Sequence, residues 1–112
     1  MQFLLIIAHD DAFAPTEELV GQIMSWIKRM TDRGIRVAGR PLKPATDATT
    51  LRIRNGKLQR TTRTFSDSDE QMCAFELIEC RDLEHALEVA GQHPMSTAAT
   101  IAVRRVWSGL GA

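Results

Sequence analysis

Residues 3–8, FLLIIA, are apolar without interruption, and the run ends abruptly in His9, Asp10 and Asp11. In a strand, Phe3, Leu5 and Ile7 point to one face and Leu4, Ile6 and Ala8 to the other, so neither face suits water. Such a strand belongs in the middle of a sheet with both faces covered, and the polar triplet marks where it leaves the core. Whatever covers those faces must come from the rest of the chain or from a second molecule.

A chain of 112 residues is expected to form one domain, spanning 1–112, with a core that needs neither disulfide nor metal as a staple. Fourteen basic and fourteen acidic residues cancel, so no global field recruits nucleic acid or an anionic membrane. The first apolar run is too short to span a bilayer and has no basic residue before it. Neither signal peptide nor anchor is expected, and a cytoplasmic address follows by default. Cys73 and Cys80 fall on one predicted strand, seven residues and therefore more than about 20 Å apart, beyond disulfide reach. Both are read as reduced packing residues, with a reactive thiol as the alternative.

The sequence Pro15-Thr16-Glu17-Glu18 starts a helix, with Thr16 as N-cap and two carboxylates at the positive end of the dipole. Leu19, Ile23, Ile27 and Met30, flanked by Val20, Met24 and Trp26, form a broad apolar stripe that ends at Gly34. Residues 35–39 are expected to be a short strand, and the proline-punctuated 41–46 is not expected to join a ladder. Residues 48–54 alternate, with Leu51 and Ile53 inward, and Asn55-Gly56 predicts a hairpin returning over 57–62. Residues 72–80 are a strand apolar on both sides, with Cys73, Phe75 and Leu77 on one face and Met72, Ala74 and Ile78 on the other. Asp82 caps a second helix whose Leu83, Ala86, Leu87 and Ala90 face the core, stopped by Gly91 and Pro94. Residues 99–107 form the last strand.

The order strand, helix, strand, hairpin, strand, helix, strand is an α+β plan: a ferredoxin-like split βαβ sheet with an inserted β-hairpin and two helices on one face. Two helices cover one face only. Large side chains left on the other would each forfeit about 1.5–3 kcal/mol if exposed, so a second copy is expected there, sheet against sheet, in a symmetric homodimer.

Residues 39–54, GRPLKPATDATTLRIR, resemble the G-x-x-L-x-P-x-x-x-A-T-T-x-R block of the YCII-related, or DGPF-domain, family. Asn55-Gly56-Lys57 resembles the family's D-G-K turn, and Thr62-Arg63-Thr64-Phe65 stands where the family has D-G-P-F. Glu70-Gln71 aligns with E-Q, residues 75–79 with its strand, residues 82–87 with D-L-D-E-A-L, and residues 101–106 with I-E-V-R-P-V. The resemblance spans nearly the whole chain. It implies a ferredoxin-like subunit in a dimeric α+β barrel, and a role mostly undetermined. Some members resemble proteins encoded beside extracytoplasmic-function sigma factors, and others are suspected of acting on a small molecule with a His and an Asp as the pair. This chain lacks the Asp-Gly-Pro of the signature, has no histidine in its first helix, and carries Ala102 where the last strand usually has Glu. No catalytic pair transfers residue by residue.

The strongest chemical candidate is His9-Asp10-Asp11 at the end of the central strand: His9 as a base near neutral pH, with a carboxylate such as Asp10 orienting it. A polar turn accounts for the same letters. Ligand-binding candidates are His9, Asp11, His93 and Arg104. His93, just before Pro94, is equally a surface residue at a helix end, and Arg104 either holds an anion or pairs with Glu76 or Glu79. Neither H-x-x-x-H nor C-x-x-C occurs, and no metal or cofactor is expected. His85 falls on the outer face of its helix with no specific role. Between positions 49 and 64 there are five basic residues and no acid, whereas 67–88 carries eight acids and one Arg. The basic hairpin is an anion or nucleic-acid surface, an electrostatic partner for the acidic segment of a neighbour, or a solvated edge whose charges prevent edge-to-edge aggregation. Nucleic acid is disfavoured, with no aromatic platform interleaved among the charges. Three readings remain: a small-molecule-binding dimer, with catalysis open; a regulatory module acting with a sigma factor or another protein through the hairpin; and a structural remnant with neither activity, which fits the lost signature.

Overall fold

The computed structural model describes residues 1–110. Its elements are β1 (Gln2–His9), α1 (Glu17–Asp32), β2 (Arg36–Pro41), β3 (Thr50–Arg54), β4 (Lys57–Thr61), β5 (Gln71–Glu79), α2 (Leu83–Gly91), α3 (Met95–Ala98) and β6 (Thr100–Arg105), with short 3-10 turns at Ala45–Asp47 and Ser108–Leu110. The main sheet is antiparallel in the order β2-β5-β1-β6. This is the ferredoxin-like α+β arrangement, with the β3–β4 hairpin set apart as its own two-stranded sheet.

The all-apolar first strand lies between β5 and β6, and its two faces have different fates. Phe3, Leu5 and Ile7 are buried under the helices with Ile78, Trp26, Met30, Ala86, Val89 and Ala90. Leu4, Ile6 and Ala8 are half-buried on the opposite face, beside Phe75 and Leu77. Thr16 caps α1 by accepting the Leu19 amide at 3.1 Å, and Gly34 closes it in a left-handed conformation at φ 72°.

Several local expectations are corrected. The last strand stops at Arg105, leaving Trp107 outside it and largely exposed. Leu51 and Ile53 do not point inward: the hairpin stands off the main sheet, and they are 60% and 61% exposed. In α2 the buried side is Ala86, Val89 and Ala90, while Leu83 and Leu87 are exposed; the small residues face the sheet because α2 packs close to it. β2 extends to Pro41, which an edge strand tolerates because no inner neighbour needs its missing N–H. Pro94 does not simply end α2; it opens the extra turn α3, for which proline is suited at a helix start. Finally, the register of β1 against β5 shifts between Ile7 and Ala8, with Ala74 opposite Ile7 and Met72 opposite Ala8. That bulge leaves Cys73 unpaired with β1 and turns it, with Ala74, toward the helix side rather than to the side of Phe75.

Candidate functional site

Helix α1 does not lie flat on the sheet. Its second half buries Trp26 and Met30 completely, and the Trp26 indole N–H donates to the Val89 carbonyl of α2 at 3.1 Å. Its first half stands clear: Leu19 and Ile23 are half-buried, and Val20 and Met24 are exposed. The gap is a cavity of about 450 Å³, walled mainly by Ile7, Leu19, Ile23, Ile27 and Met95, with Phe13 and Pro15 at the β1–α1 turn. Four groups capable of chemistry reach it from four segments: His9, Cys73, Glu76 and His93.

His93 is not the surface residue its position after α2 suggests. It is 1% exposed and set edge-on against Trp26, with ring centroids 4.6 Å apart. Its Nδ1 accepts the Met95 amide at 3.0 Å, the contact that starts α3. Burial lowers its pKa from 6.5 to about 4, so the ring is neutral at physiological pH. Its Nε2 is buried without a hydrogen-bond partner among the described residues. A buried polar atom left unpaired costs about 1–3 kcal/mol.

His9 is half-buried and stacks on Phe13 at 4.6 Å. Its Nδ1 lies 2.8 Å from the backbone carbonyl of Asp10. The Asp10 carboxylate is engaged elsewhere, accepting the Ala12 amide at 3.0 Å to shape the turn. The group that orients His9 is therefore the main chain of Asp10, and its side chain does the turn-forming work.

Glu76 is 4% exposed and hydrogen-bonds Arg36 at 2.6 Å across β5 and β2. Burial raises its pKa, opposed by the hydrogen bond and charge of Arg36. The pair passes over Gly39, where a β-carbon would collide with the Glu76 carboxylate and the Arg36 guanidinium. Burial likewise pushes the Cys73 thiol up, so it is a protonated lining group rather than an activated nucleophile. Both cysteines are free.

The structure brings His9 and His93 to one cavity and leaves the other candidates outside it. Asp10 and Asp11 are exposed in the turn. Arg104 stands opposite Leu4 on the far face of the sheet, exposed. Glu76, absent from the candidates except as a partner for Arg104, is the buried carboxylate of the site and pairs with Arg36 instead. Its signal in the sequence was its parity with Ala74 and Ile78, an acid on an inward face. His85 is half-buried, its Nδ1 accepting the Arg81 amide at 3.1 Å at the start of α2. Among the described residues, no cluster of three His, Cys, Asp or Glu could hold a metal ion, and no helix is long and apolar enough to cross a membrane.

An antiparallel four-stranded sheet with helices on one side and a cavity beneath the first helix defines a ferredoxin-like α+β protein. A family model of the YCII-related domain matches residues 1–108, and the chain belongs to that family. Among solved structures it is similar to 5-chloro-2-hydroxyhydroquinone dehydrochlorinase (TftG) from Burkholderia phenoliruptrix AC1100, in complex with 2,5-dihydroxybenzoquinone. The identity is 15% and the TM-score 0.53, over 97% of this chain and 96% of that one. At that identity the likeness concerns the fold. No curated protein matches.

Proposed function

We propose that this protein binds a small, largely apolar molecule in the cavity between α1 and the sheet, as a homodimer whose subunits meet through the open sheet face. The observation that carries the reading is the convergence of His9, Glu76 and His93 on one apolar chamber, with the Nε2 of His93 buried and unpaired. Apolar walls with a few placed polar groups are what small-molecule sites require. A fold neighbour that is a ligand-bound enzyme supports the same direction, and catalysis with His9 as base is the activity this geometry favours. The dimer is supported by Leu4, Ile6, Phe75 and Leu77, half-exposed on a face that neither helix covers.

A thermal-shift screen with small aromatic and aliphatic compounds tests the binding. Hits are expected to raise the melting temperature of the wild type by several degrees and to leave Ile23→Trp, which fills the cavity, unmoved. Equal shifts in both proteins would place the binding elsewhere.

A second reading is favoured by the hairpin, where Leu51, Ile53 and Leu58 are exposed among Arg52, Arg54, Lys57 and Arg60. It fits a protein partner with an acidic surface, a sigma factor being one candidate. Charge reversal at Arg52, Arg54 and Arg60 is expected to abolish capture of such a partner; unchanged capture removes this reading.

A further inference from the structure

We propose that the Glu76 carboxylate is the polar anchor of the cavity, and that the ligand it selects is a neutral hydroxyl compound, a small apolar body bearing an alcohol or phenol O–H. The proposal rests on the small-molecule reading above and adds the class of molecule.

Glu76 stands opposite Leu5 in the β1–β5 register, and directly opposed residues share a face, so it points to the helix side as the buried Leu5 does. Its neighbour on β2 is Gly39, where a β-carbon would overlap the carboxylate. The two carboxylate oxygens have different surroundings. Oε2 accepts from Arg36 Nε at 2.6 Å. Oε1 has no hydrogen-bond partner among the described residues, yet it is not sealed: the one side-chain nitrogen or oxygen there that is both sealed and unpartnered is His93 Nε2. Solvent therefore reaches Oε1, in a residue otherwise only 4% exposed. The hollow that Glu76 borders is the cavity under α1, and Arg36 is not among its walls. The guanidinium stands behind the carboxylate, and the free oxygen stands in front.

Charge decides what answers that oxygen. Burial raises the pKa of Glu76, but the hydrogen bond and charge of Arg36 oppose the rise and hold the group as a carboxylate, which only accepts. Among the described residues the cavity wall has no Lys or Arg, so an anionic ligand would meet a like charge and no counter-charge in an apolar chamber. A cation would lose its hydration to reach a carboxylate that Arg36 already neutralises. A neutral O–H meets neither cost. It supplies the proton the free oxygen lacks, in a hydrogen bond strengthened by the acceptor's charge.

The test titrates the full chain at neutral pH with 4-ethylphenol, 4-ethylanisole, 4-ethylbenzoate and 4-ethylbenzylamine. Binding is followed by the methyl resonances of Ile7, Ile23 and Met24 and by the side-chain carboxyl carbon of Glu76 in 13C-glutamate-labelled protein. The phenol is expected to bind about tenfold tighter than each of the other three and to shift the Glu76 carboxyl carbon. The double variant Arg36→Met, Glu76→Leu removes both charges together and leaves neither unpaired; it is expected to bind the phenol and the anisole equally. The wild-type comparison decides the proposal whether or not that variant folds. Equal wild-type affinities for phenol and anisole overturn it, as does tighter binding of the benzoate or the benzylamine. With the cavity methyls shifted, the small-molecule reading survives either result. Probes that move none of those methyls remove both.

Discussion

His93 links a buried ring to the stability of the whole chain. Its pKa is about 4 in the folded protein against about 6.5 unfolded, so between those values the unfolded chain binds a proton that the folded one refuses. Stability therefore falls as pH drops from 6.5 to 4, by about 3 kcal/mol from this group, and that share is fully present above pH 6.5. Urea denaturation across this range is expected to show a steeper acid loss in the wild type than in His93→Phe; parallel curves would contradict it. Gly39 makes a second residue-scale prediction. A methyl there displaces the Glu76–Arg36 pair, whose side chains are only 6% and 16% exposed, and Gly39→Ala is expected to cost about 3 kcal/mol in denaturation experiments. The apolar alternation around Glu76 was visible in the sequence, but the identity of its partner was not. Arg36 and Glu76 are 40 positions apart, and only the β2–β5 register joins them. His93 misled for a similar reason: a polar residue after a helix reads as surface until the α1 tryptophan is known to pack over it.

At the scale of elements, α1 does two jobs with one amphipathic stripe. Its second half seals the core through Trp26 and Met30, and its first half stands off the sheet to wall the cavity. The N-cap that starts it is exposed, so Thr16→Ala is expected to cost about 1 kcal/mol of stability without altering the cavity, measurable by thermal denaturation together with probe binding. The helical spacing of α1 and the polarity switch after β1 were legible because each is a local pattern. The β5 bulge was not, because a one-residue slip against β1 leaves no mark on the period of either strand. That slip is what brings Cys73 to the cavity. The hairpin turn was equally plain, with Asn55 and Gly56 both at positive φ, yet alternation in β3 could not tell that its apolar side would face away from the main sheet.

The whole molecule is extended for its length. Its radius of gyration is 15.9 Å, against about 13 Å for a compact chain of this size, and the β3–β4 hairpin forms a sheet of its own. Together with the uncovered side of the sheet, this shape agrees with the homodimer proposed above. Light scattering is expected to give a particle of twice 12.5 kDa at micromolar concentration, and Phe75→Arg, placing a charge at the centre of the open face, is expected to halve it. A 12.5 kDa wild-type particle would remove the assembly while leaving the cavity within one subunit. A second hollow, of about 820 Å³, lies on that open side, lined by Ile6, Ala8, Thr64, Phe65 and Met72. The two hollows are told apart by methyl NMR of the full chain, titrated with the strongest hit from the thermal-shift screen. Shifts confined to Ile7, Ile23, Met24 and Met95 are the predicted result; shifts at Ile6 and Met72 with those methyls unmoved would contradict it.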